Sequence, residues 1–350
     1  MLDYLIYIGR FQPFHIGHKK TIDYALTQAQ NVIVCIGSDN LHRSVKNPFT
    51  VVERVAMISA CYDNRWRDKS IKQDLSSRIS FMPIGDYPGN DAAWITEVQR
   101  RVSIYLRGSP LKNPKVGILA FNPGETDVVA SWFPDWIPIT VEGRLGTVNA
   151  TEIRNQYFRS VPIISEFLPF EVRDWLKEFA TSKEFAYLLG EADYLTAYER
   201  EWGKGPFVTT DAVVEQSGSV LLVRRRDPPF KGALALPGGF LNPKETLLEC
   251  VLRELKEETN IADQYGEIPK GKLLGFLRGS KVFDDPDRDP RARVITHAYH
   301  FQLPQKPERF TVKGGDDAAS AHWVPLAEIR PQDMMGDHWF ILQNFLGPLP

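Results

Sequence analysis

Two short apolar runs near the start of the chain flank a segment with helical spacing. The runs cover residues 5–8, which stop at Gly9, and residues 32–36, which stop at Gly37. Runs of this length are typical of buried parallel strands. Apolar residues between them recur at helical spacing and predict a helix over residues 17–30. A strand, a helix and a second strand in this order predict an α/β domain, with a parallel sheet and helices on both faces.

The length of 350 residues predicts two domains rather than one core. Further apolar runs at residues 116–120 and 137–141 extend the first sheet, and a helical pattern over residues 151–179 closes it. Two strand-like runs within residues 211–223 predict a hairpin and, with it, an α+β second half. We therefore expect a first domain over residues 1–180, a linker over 181–205 and a second domain over 206–350.

Charge and cysteine content narrow the function classes. The chain carries 42 Lys and Arg against 44 Asp and Glu, and neither half has a basic patch of the kind that binds nucleic acid or membranes. Cys35, Cys61 and Cys250 form no CxxC pair, which argues against a disulfide framework or a thiolate zinc site. The sequence shows no basic leader and no long apolar span. We expect a cytoplasmic protein without nucleic-acid or membrane partners, and formation of a homo-oligomer is left open.

Residues 9–18, which follow the first predicted strand, are suited to phosphate binding. Ligands of parallel sheets bind beyond the carboxyl ends of the strands, where the next helix offers unpaired N–H groups to phosphate. His15 and His18 are three residues apart, so their rings share a helix face and, neutral or charged, can donate hydrogen bonds to phosphate oxygens. Gly17 leaves room for a nucleotide close to the backbone. Taken alone, the motif is equally compatible with a helix start that carries two solvated histidines.

Three segments in order carry a resemblance to a known family. The string GRFQPFHIGH at residues 9–18 resembles the nucleotidyltransferase superfamily, and within it the archaeal-type nicotinamide mononucleotide (NMN) adenylyltransferases. Residues 47–54 resemble the NPF…ER segment of that family. Residues 83–86, with Asn90 and Trp94, resemble its nicotinamide-side loop. The resemblance implies a Rossmann-like nucleotidyltransferase fold and transfer of the adenylyl group of ATP to NMN, with Mg²⁺ on the ATP phosphates.

Residues 147–154 resemble a second signature of the same family, ISxTxIR. Asn149 stands where the family usually has serine, but asparagine caps helices equally well, and Glu152 then falls at the third position of a loose capping box. Another phosphorylated acceptor in place of NMN remains an alternative. Without the resemblance, Arg154 is more typical of a surface arginine and Trp94 of a core residue. The resemblance implies catalytic roles for His15, His18 and Arg154, and nucleotide binding by Gly9, Arg10, Phe11, Gly17, Asp39, Arg54, Asn90, Trp94, Asn149 and Thr151.

A second group of charged residues lies on a predicted helix in the second half. Asn242 as N-cap, Pro243 at the first position and Glu245 at the third predict where this helix begins. Three carboxylates on one stripe repel each other unless a cation lies among them, and oxygen ligands favour hard ions such as Mg²⁺, with Mn²⁺ as the alternative. A glutamate pair alone is more typical of a solvated acidic helix. The glutamates on this stripe are Glu254, Glu257 and Glu258.

Residues 239–261 resemble the Nudix box, Gx5Ex7REUxEExGU, and match eight of its nine positions. Asn260 replaces the glycine of the box, and asparagine tolerates the left-handed conformation that the end of the helix needs. The resemblance implies metal-dependent hydrolysis of a nucleoside diphosphate derivative. It implies metal binding and catalysis by Glu254, Glu257 and Glu258, and structural roles for Gly239, Glu245 and Arg253.

Segments beyond the box bear on the substrate. Residues 288–291 and 294–299 resemble Nudix ADP-ribose pyrophosphatases, which implies ADP-ribose as the substrate and Arg291 as a nucleotide-binding residue. Asp316 and Asp317 offer an additional metal ligand or base, although such pairs more often form turns. Together the resemblances point to the bifunctional NMN adenylyltransferase/Nudix hydrolase family, which uses NMN, ATP and ADP-ribose. The alternative is a Nudix half that senses a ligand or cleaves another nucleoside diphosphate derivative.

Overall fold

The computed structural model describes residues 1–63, 75–141, 149–159, 165–306, 308–315 and 318–349. The chain folds into two compact units, Met1–Gly190 and Glu191–Pro350. Each unit has its own sheet and its own hydrophobic core. In the residues that are described, no helix is long and apolar enough to cross a membrane.

The first unit is built on a parallel sheet with the strand order β3-β2-β1-β4-β5. Its strands are β1 (Leu2–Gly9), β2 (Ala29–Ile36), β3 (Ile79–Pro83), β4 (Val116–Ala120) and β5 (Ile137–Thr140). This confirms the predicted parallel sheet and adds β3. Along the chain, β2 and β3 are added on one side of β1, and β4 and β5 are then added on the other side. The carboxyl ends of β1 and β4 therefore flank the crevice where such sheets bind ligands.

Helices flank this sheet. The first one ends at Gln28, two residues before the predicted end, because Ala29 is already extended and pairs with Leu2 in the β1–β2 ladder. The helical pattern predicted over residues 151–179 is divided into two separate helices. The helices are α1 (Ile16–Gln28), α2 (Val51–Ala60), α3 (Asp91–Arg107), α4 (Pro123–Trp132), α5 (Ala150–Tyr157), α6 (Phe170–Phe179) and α7 (Lys183–Trp202).

The segment predicted as a linker, residues 181–205, contains the 20-residue helix α7. The division between the compact units falls inside this helix, between Gly190 and Glu191. The second half of α7 therefore belongs to the second unit. The domain limits inferred from the sequence stay a prediction.

The second unit contains a mixed sheet with the order β12-β13-β6-β7-β14, in which β8 pairs with β7 and β9 with β6. β6 and β7 form the predicted hairpin, which turns at Ser217 and Gly218, both at positive φ. The strands are β6 (Phe207–Gln216), β7 (Ser219–Arg225), β8 (Leu234–Ala235), β9 (Gly238–Phe240), β10 (Ala262–Asp263), β11 (Gly266–Glu267), β12 (Leu277–Phe283), β13 (Val294–Gln302) and β14 (Ala318–Pro325). The helices are α8 (Leu247–Thr259), α9 (Lys270–Gly275) and α10 (His338–Leu346). The α+β class is confirmed.

The start of α8 differs from the sequence prediction. Thr246, not Asn242, is the N-cap, and it forms a reciprocal capping box with Glu249. Glu245 is held outside the helix, where its carboxylate accepts from the Asn242 N–H at 2.7 Å and binds Arg253. The end of the helix agrees with the prediction, since Asn260 adopts the left-handed conformation with φ 44°.

Candidate active sites

A cavity of about 660 Å³ opens beyond the carboxyl end of β1 in the first unit. It lies where α1 and α5 begin, so the N–H groups at the two helix starts face a common space. The predicted site residues that line it are Arg10, Phe11, His15, Gly17, His18, Asn149, Thr151 and Arg154. Tyr7, Gln12, Thr21, Phe121, Asn122, Glu125 and Ala150 complete the lining.

His15 is the N-cap of α1. Its Nδ1 accepts from the N–H groups of Gly17 at 3.1 Å and His18 at 3.4 Å. The His15 and His18 rings stack with their centroids 3.6 Å apart. Gly17 favours this arrangement, because a Cβ there would make a tight contact of 3.0 Å with His15 Cε1. The predicted shared face of the two histidines is thus what the structure forms.

Burial keeps both imidazoles neutral. It lowers the pKa of His15 to about 4, and burial together with the neighbouring His15 lowers the pKa of His18 as well. Because Nδ1 of neutral His15 accepts hydrogen bonds, its proton lies on Nε2. The two rings therefore act as neutral hydrogen-bond donors, and the positive charge of the cavity comes from arginines.

Arg154 is the buried guanidinium of this cavity. It donates to the Gln12 carbonyl at 2.6 Å and to Thr151 Oγ1 at 3.0 Å, both neutral acceptors. Burial, and to a lesser extent repulsion by Arg10, lowers the pKa of Arg154 to about 10, so it stays charged at neutral pH. Asn149 caps α5 as predicted, but its side chain accepts from the Thr151 N–H rather than from Glu152, the position a capping box requires.

The structure places five other predicted residues outside the cavity lining. Arg54 is 1% exposed and donates to the carbonyls of Arg10 and Gly37, so it holds the loops that follow β1 and β2. Asp39 follows β2, Asn90 caps α3, and Trp94 packs edge to face against Trp132. Gly9 acts through packing, because a Cβ there would lie 2.9 Å from the Phe11 ring.

A second cavity, of about 600 Å³, lies in the second unit. Predicted site residues that line it are Gly239, Arg253, Glu254, Glu258 and Arg291. Arg288, from the segment 288–291 that the sequence analysis identified, also lines it. So do residues with no local sequence signal, among them Tyr194, Tyr198, Asp211, Arg225 and His338. Asp316 and Asp317, which the sequence offered as additional ligands, lie outside the described residues.

Arg253 organises the glutamates of the Nudix box. It binds Glu245 through two nitrogens, at 3.0 Å and 2.6 Å. A third nitrogen donates to Glu254 at 2.7 Å and to Glu257 at 2.9 Å. The guanidinium thus joins the loop before α8 to two carboxylates of the helix, which is an orienting arrangement.

Two glutamates face the cavity under conditions that disfavour their charged form. Burial raises the pKa of Glu258 to about 8, and its carboxylate accepts from the Gly238 N–H at 2.9 Å. Burial also raises the pKa of Glu254. A divalent cation would compensate the charge of this buried pair. Glu257 is more exposed than these two glutamates, and its carboxylate forms an ion pair with Arg253. Among the described residues, no three His, Cys, Asp or Glu side chains are arranged to hold a metal ion together.

Comparison with known proteins extends the similarity over the whole chain. The cytidylyltransferase-like family matches residues 6–100 and the NUDIX domain residues 205–345. A nicotinamide/nicotinic acid mononucleotide adenylyltransferase of Acinetobacter baylyi is 33% identical over 186 residues, 53% of this chain and 91% of that protein. An ADP-ribose pyrophosphatase of Methanocaldococcus jannaschii is 38% identical over 142 residues, 40% of this chain and 73% of that protein.

A solved structure covers both halves at once. The bifunctional NMN adenylyltransferase/ADP ribose pyrophosphatase of Francisella tularensis, complexed with AMP and a manganese ion, is 31% identical with a TM-score of 0.87. The similarity covers 99% of each chain. The chain belongs to the bifunctional NMN adenylyltransferase/ADP-ribose pyrophosphatase family. In the present chain, the histidine motif of residues 9–18 and the Nudix box lie in separate units, and residues of each line a different cavity.

Proposed function

We propose that the chain carries out two reactions of NAD metabolism. The first unit transfers the adenylyl group of ATP to NMN, giving NAD and pyrophosphate, and the second hydrolyses ADP-ribose to AMP and ribose 5-phosphate. One observation carries the proposal: each motif lines its own cavity, with His15, His18 and Arg154 in one and Glu254 and Glu258 in the other. The similarity to a bifunctional enzyme over the whole chain supports the pairing of the two activities.

In the transferase cavity the chain supplies position and positive charge. A 5′-phosphate oxygen of NMN attacks the α-phosphorus of ATP, the bond from that phosphorus to the bridging oxygen breaks, and pyrophosphate leaves. Arg10 and Arg154 neutralise the phosphate charges, and the neutral imidazoles donate hydrogen bonds to phosphate oxygens. Positioning of this kind needs no side-chain nucleophile.

In the hydrolase cavity, Glu254 and Glu258 are the residues best placed to hold a divalent cation, with Glu257 as the third predicted ligand. A cation bound there activates water and neutralises the pyrophosphate. Arg253 fixes the orientation of Glu254, and Arg225 and Arg291 supply positive charge for the phosphates. Water adds to one phosphorus, the P–O–P bridge breaks, and two phosphate monoesters are released.

Some finer assignments stay predictions. We propose Mg²⁺ as the physiological ion, with Mn²⁺ as the alternative, for which the manganese in the Francisella enzyme is a precedent. A cytoplasmic location and the absence of nucleic-acid partners rest on the sequence alone, and formation of a homo-oligomer stays open.

Product identification tests the proposed function. The purified full-length chain with Mg²⁺ is given NMN plus ATP in one reaction and ADP-ribose in another, and the products are identified by mass. We expect NAD and pyrophosphate in the first, and AMP and ribose 5-phosphate in the second. A chain that binds ADP-ribose without cleaving it would favour the sensing alternative for the second unit.

A further inference from the structure

The second half of α7 contributes one face to the hydrolase cavity. Glu191, Tyr194 and Tyr198 are spaced by three and four residues, so they lie on one stripe of the helix. Tyr194 and Tyr198 line the cavity. The NUDIX family match begins only at residue 205, so this stripe comes from outside the segment that defines the family.

Glu191 fixes this helical face to the cavity. Its side chain is 2% exposed, and its carboxylate accepts from the N–H of Phe230 at 3.0 Å. Phe230 belongs to the loop between β7 and β8, and Arg225, at the end of β7, donates to the Pro229 carbonyl of the same loop at 2.8 Å. The helix and a cationic side of the cavity are therefore attached to a common loop.

The tyrosines adjoin a rigid aromatic and cationic surface. The Tyr194 and Tyr198 rings have centroids 6.0 Å apart. The Arg291 guanidinium carbon lies 6.0 Å from the Tyr198 ring centre and 5.2 Å from that of Phe240. Arg291 is itself held by Asp289 through hydrogen bonds that include one of 2.7 Å. The two tyrosine rings are tilted by 37° to each other, so each presents its own aromatic face, and the face of Tyr198 adjoins the anchored Arg291.

The cavity combines acidic, cationic and aromatic groups. Arg225 lines it together with Glu258, Arg291 and Tyr194, and its guanidinium interacts electrostatically with all three. A nucleoside diphosphate substrate needs the same combination: cations for its pyrophosphate and an aromatic surface for the flat nucleobase joined to it.

We propose that the second half of α7 is the nucleobase-binding wall of the hydrolase cavity, and that Tyr198 stacks on a purine and sets the preference of the site for purine over pyrimidine nucleoside diphosphates. The inference rests on the proposed hydrolase function of the same cavity. It makes α7 part of a substrate site as well as the segment between the two sheets.

Steady-state kinetics of the full-length chain test this inference. ADP-ribose and its uridine analogue are compared in the wild type, Tyr198→Ala, Tyr198→Phe and Tyr265→Ala. Tyr265 is 86% exposed on the β10–β11 turn and serves as a matched tyrosine control. For Tyr198→Ala we expect the KM for ADP-ribose to rise about 10- to 100-fold with kcat little changed, the range that loss of one base–aromatic stack produces.

The other comparisons distinguish stacking of Tyr198 on the base from an indirect role of Tyr198 in holding Arg291 in place. The KM for the uridine analogue should rise less, because a pyrimidine overlaps less with the ring, and both Tyr198→Phe and Tyr265→Ala should behave like the wild type. An unchanged KM in Tyr198→Ala, an equal rise for both substrates, or a loss confined to kcat would each overturn the inference. A wild-type chain that does not cleave ADP-ribose would instead overturn the proposed function, which makes the two failures distinguishable.

Discussion

His15 caps α1 through Nδ1 and presents a donor to the transferase cavity through Nε2, so one side chain serves both the local fold and the site. This double role requires a neutral ring. A proton on Nδ1 would remove the acceptor for the Gly17 and His18 N–H groups. The depressed pKa of His15 is therefore tied to the stability of the first helix turn.

Acid should destabilise the first unit through His15. Burial lowers its pKa from 6.5 to about 4. Below about pH 6.5, His15 therefore binds a proton in the unfolded chain but stays neutral in the folded chain until the pH approaches 4. The stabilisation is complete above pH 6.5 and is lost as the pH falls toward 4, by about 2 kcal/mol between pH 7 and pH 5. Asparagine can supply the capping acceptor without titrating. Urea unfolding at pH 7 and pH 5 measures the effect. Between these pH values His15→Asn should lose less stability than the wild type, whereas the control His322→Asn, at an exposed histidine, should lose as much as the wild type. An equal loss in His15→Asn and the wild type would contradict the role of His15 in acid destabilisation.

Gly239 leaves room for the carboxylate of Glu254, a predicted catalytic residue, because it has no side chain. A Cβ at this position would overlap the Glu254 carboxylate. Gly239→Ala should displace Glu254 and lower ADP-ribose hydrolysis about 100-fold, the scale of a displacement of about 1 Å in an active site. The control is Gly279→Ala on β12, where a Cβ meets nothing within 4 Å. Hydrolysis rates of the two variants check the prediction, and equal rates would count against it.

At the scale of elements, α8 shows how a tertiary contact selects between two local signals. Asn242 with Glu245 and Thr246 with Glu249 both have the spacing of a cap and its partner. Only Thr246 and Glu249 form the reciprocal capping box, because Glu245 is bound by Arg253 and lies outside the helix. The buried face of α8, with Val251 and Leu255, then packs into the core of the second unit.

The position of this cap can be tested by stability. Thr246→Ala removes the acceptor for the Glu249 N–H and should lower the free energy of unfolding by about 1 kcal/mol. Asn242→Ala, at the cap position that the sequence alone favours, should cost much less. Urea unfolding of both variants at neutral pH makes the comparison. A larger loss in Asn242→Ala would mean that the helix begins four residues earlier than the structure shows.

At the scale of the whole molecule, the sequence predicts what is encoded locally. His15, Gly17 and His18 lie within four residues, and the box glutamates lie on one helix, so spacing alone brings them together. Tyr198 and Arg291 meet across 93 residues, and Asp211 and His338 come from β6 and the start of α10. No local pattern marks Tyr198, Asp211 or His338, and the segment that marks Arg291 does not identify its aromatic partner, because only the fold brings these residues to one cavity. Arg54 shows the converse: its local motif predicts nucleotide binding, but the side chain is buried beneath the loops that follow β1 and β2 instead of lining the cavity.

The two compact units predict separable activities. His18 lies in the cavity of the first unit and Glu257 on the box helix of the second. His18→Ala should abolish NAD synthesis and leave ADP-ribose hydrolysis nearly unchanged, since it removes an imidazole from the cavity of the first unit and leaves the described lining of the second cavity intact. Glu257→Gln should reduce hydrolysis by orders of magnitude and spare synthesis, because it removes a charge from the predicted metal-ligand set. Both activities are measured on the same preparation of each variant. Parallel loss of the two activities in either variant would show that the sites depend on each other, and a fully active Glu257→Gln would remove that residue from the metal set.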